Sequence, residues 1–334
     1  MTSSLLVLGG SGFVGRAAVE EGGARGWDVA TFNRGHRPTL DPRVTALRGD
    51  RLEPGTLSPL AERRWDLVLD TWSGAPRATR DSAGLLAGRA DHYVYISSGS
   101  VYAPPPPIGV KETAATVAGS PDAESGDYPE LKRGSELAVA AAFGEHALIL
   151  RPGLILGPYE DVGRLPWWLT RMARGGDVLA PGPADLPLQY IDARDLVRFA
   201  FDAAGAGHRG PLNAVSPRGH ATMGSLLDAC VAVAGAIDTR LRWVSADAVL
   251  DAGIAPWTEL PIWIPPEHEY AAMHGADVSR AHAAGLRCRP LAQTVADTWA
   301  WLRALGGPPP LRPDRPAPGL APDRERAVLA SVDL

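Results

Sequence analysis

Tyr128 and Lys132 stand four residues apart in Tyr128-Pro129-Glu130-Leu131-Lys132. On a helix that spacing puts both side chains on one face. An ammonium group so placed favours a phenolate, and the pair can then exchange a proton with a substrate oxygen. The same ammonium could hold the ribose hydroxyls of a nicotinamide nucleotide. A serine hydroxyl from Ser97-Ser98-Gly99-Ser100, where an apolar run ends, would hydrogen-bond that oxygen. Such a set suits hydride transfer, in which a carbonyl oxygen gains a proton as its carbon gains hydride. Lys132 is one of only two lysines, with Lys111, among 33 basic residues.

A second constellation opens the chain. Gly9, Gly12 and Gly15 occur in Gly9-Gly10-Ser11-Gly12-Phe13-Val14-Gly15, directly after the apolar run Leu5–Leu8. Glycine allows a tight turn with φ > 0 and a close approach of backbone to a pyrophosphate. A helix starting at Phe13 and Val14 offers unpaired N–H groups to the phosphates. These residues are expected to bind a dinucleotide. The second apolar run ends in Phe32-Asn33-Arg34, with no acid to hold ribose hydroxyls. Arg34 would meet a 2′-phosphate instead, assisted by His36 and Arg37, which favours NADP(H) and keeps NAD(H) as the alternative. Asn33, Asp50, Arg51 and Thr71 complete the expected cofactor set, with the Asp50 carboxylate accepting the adenine amino group.

The elements that must position these residues follow from periodicity. Leu5–Leu8, Asp28–Asn33, Asp66–Thr71, His92–Ser97 and Ala147–Arg151 are apolar runs without strict alternation, as strands covered on both faces should be. Helical stretches lie between them, near 76–87 and 128–142. That βαβ rhythm predicts an α/β chain, a Rossmann-type doubly wound parallel sheet over 1–152, with 189–215 returning to it. Residues 153–305 read as a smaller substrate-binding region. Residues 306–334 read as a Pro-rich, flexible or extended tail with a short helix of no evident function.

Here the chain resembles the extended short-chain dehydrogenase/reductase family, the group of NAD(P)-dependent epimerases, dehydratases and reductases. GGSGFVG, LRGD, ISSGSVY, YPELK and RPGLILGP carry the resemblance, which covers roughly residues 4–305. It implies a Rossmann fold with a C-terminal substrate domain, and a Ser98–Tyr128–Lys132 triad with Ser100 as the fallback serine. It also implies that Arg151-Pro152-Gly153 packs on the nicotinamide, so Pro152 and Gly153 join the cofactor set. Asp192 or Asp195 would cap the next helix. Two departures stand out. No Asn follows Arg151 before Gly157-Pro158, as sugar-nucleotide epimerases usually have. Gly99-Ser100 stands where a dehydratase should place an acid/base pair.

Ten tryptophans are many for 334 residues. Trp72, Trp168 and Trp257, with Ser100, are taken to line a pocket for an apolar or aromatic substrate. The polar, Pro/Gly-rich segment 103–127 is a candidate lid. The expected activity is therefore NADP(H)-dependent reduction or oxidation of a non-nucleotide metabolite. A sugar-nucleotide epimerase or dehydratase is the alternative, and a non-enzymatic nucleotide-sensing or RNA-binding relative the second. A formal charge of −5 argues against nucleic-acid and anionic-membrane partners. With no apolar stretch of about 18 residues, the chain is expected to be cytoplasmic, to act on a small molecule and to leave a homodimer open. Cys230, Cys288 and the eight histidines show no metal-ligand spacing.

Overall fold

The computed structural model describes residues 2–36 and 41–332. The chain divides into two compact units, Met1–Gly153 with Ala193–Val215 and Ala276–Arg287, and Leu154–Asp192 with Ser216–Gly275 and Cys288–Leu334. The first unit thus takes back 276–287, a stretch the sequence reading gave to the substrate region.

The first unit is built in βα order. It runs β1 (Ser4–Leu8), α1 (Phe13–Ala24), β2 (Asp28–Asn33), β3 (Thr45–Arg48), β4 (Trp65–Asp70), α2 (Pro76–Leu86), β5 (Ala90–Ile96), α3 (Tyr128–Phe143) and β6 (Ala147–Leu150). The helix Ala193–Gly205, the strand Gly210–Leu212 and the short helix Ser279–Ala283 follow. The seven-stranded sheet has the order Gly210–Leu212, β6, β5, β4, β1, β2, β3. Every neighbour pair is parallel. Successive side chains of a strand point to opposite faces. Leu6, Leu8, Phe32, Val68, Tyr93 and Tyr95 therefore form one buried layer, with Ala83 and Leu86 of α2 and Val139 and Phe143 of α3. Leu5 and Val29 face the other way. A Cβ on Gly22 of α1 would lie 2.9 Å from each of them, and Phe201 packs on the same side. Strand order reverses between β1 and β4, which opens a crevice past their C-terminal ends. Leu8 pairs with Asp70, and Asp70 with Tyr95, so these chain positions reach that edge together.

The second unit has its own core. The helix Arg164–Ala173 buries Leu165, Trp168, Leu169 and Met172, one stripe at helical spacing. The helices Met223–Ala234 and Leu291–Leu305 add Leu226, Leu227, Cys230, Val295 and Leu302. The tail belongs to this unit and is not loose. The helix Pro322–Val332 buries Val328 and Leu329 in the same core, with Leu320 just ahead of it. Glu325 accepts two hydrogen bonds from Arg171 Nε, at 2.9 and 2.7 Å, and one from the Leu179 N–H. Proline and glycine content marked the stretch as flexible; its apolar residues and one buried carboxylate anchor it instead.

Among the described residues no helix is long and apolar enough to cross a membrane. None of their His, Cys, Asp and Glu side chains group in threes as a metal site would require.

Candidate active site

The glycine turn sits where β1 ends. Gly9 has φ +126° and Gly10 φ +87°, a region that disfavours other residues. Space is as restrictive as conformation. An added Cβ would lie 2.5 Å from Thr71 Oγ1 at Gly9, from Thr31 Cγ2 at Gly10 and from the Gly10 backbone nitrogen at Gly15. Gly12 is different: it is the N-cap of α1, with extended backbone that other residues also adopt. Gly10 is therefore a demanding position to which the sequence reading gave no role. Phe13 and Val14 begin α1, whose first N–H groups have no intrahelical partner and whose first turn carries no acid. This cradle fits the pyrophosphate of a dinucleotide.

Asn33 staples β2 to the turn. Its Nδ2 donates to the Gly9 carbonyl at 3.1 Å, and its Oδ1 accepts from the Gly35 N–H at 2.8 Å. Arg34 and His36 are exposed just beyond, and Arg37 lies outside the described residues. The β2–β3 register sets Arg48 opposite Asn33, with the Arg48 guanidinium 3.4 Å from where a Gly35 Cβ would stand. Arg48 is thus a second basic group at this corner. Only its place at the end of a strand could have marked it.

Asp50 is half-buried, and its Oδ1 accepts from the Leu52 N–H at 3.0 Å. Thr71 donates to the Leu8 carbonyl at 3.1 Å, so it seals the turn from the β4 side. Arg51 departs from expectation. It is buried, and its two terminal nitrogens grip Asp70 at 2.6 and 2.8 Å, with Ser82 at 2.6 Å. That guanidinium is a core ion pair and is not presented to a cofactor.

The chemistry-bearing residues gather past β4 and β5. Tyr128 is the first residue of α3 and is half-buried, while Lys132, one turn on, is 3% exposed. Lys132 Nζ donates to the carbonyls of Trp72 at 2.7 Å and Ile96 at 2.6 Å, and lies 4.8 Å from the centre of the Tyr95 ring. Two residues past Ile96, Ser98 Oγ accepts from the Ser100 N–H at 3.1 Å and meets Ser100 Oγ at 3.1 Å. The two candidate serines therefore form one hydroxyl pair. The Pro152 carbonyl accepts from the Gly99 N–H at 2.8 Å, which ties the end of β6, and Gly153 after it, to the serine turn.

A buried charge cluster underlies this corner, and the sequence reading missed it. Glu136, one turn beyond Lys132, accepts from Ser97 Oγ at 2.7 Å, Arg133 at 2.9 Å and Arg151 at 2.9 and 2.8 Å. Burial opposes its ionisation, but Arg151 and the other donors hold its carboxyl below the usual range. Its i+4 spacing from Lys132 was the available signal. Arg151 also donates to the Glu112 carbonyl at 3.2 Å. Glu112 in turn accepts from the Asn213 N–H, and Asn213 Nδ2 holds the Val110 carbonyl at 3.0 Å. Segment 103–127 is thereby pinned near its middle.

The proposed substrate tryptophans divide between the units, Trp72 in the first and Trp168 and Trp257 in the second. Trp72 is half-buried at the end of β4, its Nε1 donating to the Ala75 carbonyl at 2.9 Å and its ring beside the Arg51 guanidinium. Trp168 belongs to the second unit's core: it is fully buried and donates to the Pro261 carbonyl at 2.7 Å. It cannot line an open pocket. Trp257, also in the second unit, is partly buried with the Arg164 guanidinium 4.5 Å above its ring. In the same unit Asp192 Oδ2 accepts from Thr294 Oγ1 at 2.9 Å.

Residues 5–214 match the model of the NAD dependent epimerase/dehydratase family. Among the similar solved structures, three match over more than nine-tenths of the chain. The Bordetella bronchiseptica enzyme WbmH, in complex with NAD+, is 16% identical, with a TM-score of 0.69 over 92% of this chain and 100% of that one. The UDP-N-acetylglucosamine 4-epimerase of Methanobrevibacter ruminantium M1 is 15% identical, with a TM-score of 0.68 over 91% and 100%. The UDP-glucose 4-epimerase of Thermotoga maritima, with UDP-glucose, is 16% identical, with a TM-score of 0.65 over 91% and 100%. At such identities the likeness is one of fold. No curated protein matches the chain. The seven-stranded parallel sheet, the glycine cradle at its reversal point and the family match along 5–214 agree: this chain belongs to the NAD dependent epimerase/dehydratase family and is an NAD(P)-dependent, oxidoreductase-type enzyme of the extended short-chain dehydrogenase/reductase group.

Proposed function

We propose that the protein oxidises a secondary alcohol of a sugar-nucleotide substrate and reduces the ketone again, as an epimerase does. The observation that carries this reading is the placement of Lys132, one helical turn from Tyr128, at the meeting of β4 and β5. Tyr128 takes the proton of the substrate hydroxyl and returns it on reduction, with the Lys132 ammonium one helical turn away. Ser98, paired with Ser100, hydrogen-bonds the same oxygen. Gly9, Gly10, Gly15 and the first turn of α1 would hold the dinucleotide phosphates. A bound nicotinamide supplies the hydride acceptor and donor.

Two findings move the reading away from a reductase of apolar metabolites. Trp168 is core, so the aromatic pocket loses a wall. The family match and the similar UDP-sugar epimerases favour a sugar-nucleotide substrate. An NADP(H)-dependent reductase stays as the second reading on one observation, the Arg34 and Arg48 pair beside a β2 end that carries no acid.

Purification without added nucleotide, followed by identification of the bound dinucleotide, separates the two. Tightly retained NAD+ supports the epimerase. Protein that emerges empty and binds NADPH more tightly than NADH supports the reductase.

A further inference from the structure

Trp72 lies two residues past the end of β4, where no ladder bond holds its peptide groups. Side chains hold them instead. On one side, the Trp72 N–H donates to Asp70 Oδ1 at 2.9 Å. Asp70 is itself immobilised: Arg51 grips both its oxygens, and the Tyr93 hydroxyl donates to Oδ2 at 2.7 Å. On the other side, the Trp72 carbonyl accepts from the Tyr95 hydroxyl at 3.0 Å and from Lys132 Nζ at 2.7 Å. One residue is therefore clamped through both its backbone groups, and the ammonium docks on the clamped carbonyl.

We propose that Asp70 and Tyr95 are positioning residues for Lys132, acting through the Trp72 backbone. This rests on the acid–base reading of Tyr128 and Lys132 given above. A buried carboxylate–guanidinium pair adds little net stability over a well-packed apolar replacement. Its geometric product here is a carbonyl fixed at the floor of the site. Burial opposes ionisation of Asp70, yet the Arg51 charge keeps its carboxyl below the ordinary range, so it remains an acceptor. Burial first, and the Asp70 charge next, push the Tyr95 hydroxyl well up, so it remains a donor. A compact ammonium suits two carbonyls converging from neighbouring strands, where a planar guanidinium fork does not. That agrees with the survival of a lysine here in an arginine-rich chain.

The chain supplies its own internal standard, because Lys111 is exposed and Lys132 buried. Amine acetylation of the full-length protein, free of cofactor and read by peptide mass spectrometry, gives the ratio of labelling at the two sites. Asp70→Asn removes the charge that holds Arg51 and tests folding as well as the clamp. Tyr95→Phe keeps the ring and deletes one hydroxyl, so it is the cleaner variant. In Tyr95→Phe protein with unchanged circular dichroism and unfolding midpoint, labelling at Lys132 relative to Lys111 should rise about fivefold, the effect of one lost buried hydrogen bond. kcat should fall by a similar factor while KM stays within about twofold. An unchanged labelling ratio overturns the proposal, and so does a raised ratio with kcat unchanged. If Tyr128→Phe keeps full turnover, the acid–base reading falls instead, and the labelling result then describes a structural clamp alone.

Discussion

Arg151 and Glu136 close a two-bond ion pair beneath the helix that carries Tyr128, Nε to Oε1 at 2.9 Å and Nη2 to Oε2 at 2.8 Å. It joins the end of β6 to the middle of α3. Ser97, the neighbour of Ser98, bonds to the same carboxylate. The serine and the tyrosine–lysine pair are thus referenced to one buried anion.

Replacing Glu136 by Gln should leave the Arg151 guanidinium buried without its counter-charge. The expected loss is about 3–5 kcal/mol, read from urea unfolding at neutral pH. The pH dependence has a defined sign. The folded state holds this carboxyl below its usual value of 4.5. Its contribution is therefore present above that value and lost as pH falls through the folded one. Acidification should cost the wild type more than Glu136→Gln; parallel curves would contradict the pair's role.

Gly15→Ala should fold yet bind dinucleotide poorly. Its new Cβ would stand 2.5 Å from the Gly10 backbone nitrogen, and backbone yields less readily than a side-chain tip. Shifting Gly10 distorts the surface that meets the phosphates, so affinity should fall by about tenfold or more in a tryptophan-fluorescence titration. Gly12→Ala, at an extended N-cap, should lose clearly less. Equal losses would mean that the crowding at Gly15 does not govern the cradle.

Glu160 of the second unit predicts the opposite pH trend. It is fully buried and accepts from the Arg164 N–H at 2.7 Å and the Leu165 N–H at 3.2 Å, at the start of their helix. Burial pushes its carboxyl up to about 7, more than these donors and Arg164 pull it down. Its contribution is full below the unfolded value of 4.5 and lost as pH rises through about 7. Between pH 5 and 8 the wild type should lose about 3 kcal/mol relative to Glu160→Gln. A constant difference between the two would refute the shift.

The strands of the first unit are legible because parallel strands buried on both faces leave unbroken apolar runs such as Leu5–Leu8. The glycine turn is legible because its constraints are local. Side-chain partnerships set across the chain are not. Arg51 follows a strand, as a cofactor ligand could, but Asp70 claims it from 19 residues away. Trp168 sits among prolines, as a pocket wall could, but its N–H partner lies 93 residues on. The tail misleads for a related reason. Proline and glycine describe its backbone, while Leu320, Glu325 and Val328 decide where it docks. Spacing along a helix brings Tyr128, Lys132 and Glu136 to one face, yet it does not tell that Glu136 anchors Arg151.

A single-turnover comparison tests most directly whether the Tyr128 hydroxyl carries the proton. NAD+-loaded wild type and Tyr128→Phe should be mixed with a panel of UDP-sugars, with the reduced-nicotinamide absorbance band followed in single turnover. Transient reduction is expected in the wild type with at least one sugar, and a rate lower by about 100-fold or more in the variant, at unchanged NAD+ affinity. Reduction at the wild-type rate in Tyr128→Phe would contradict it.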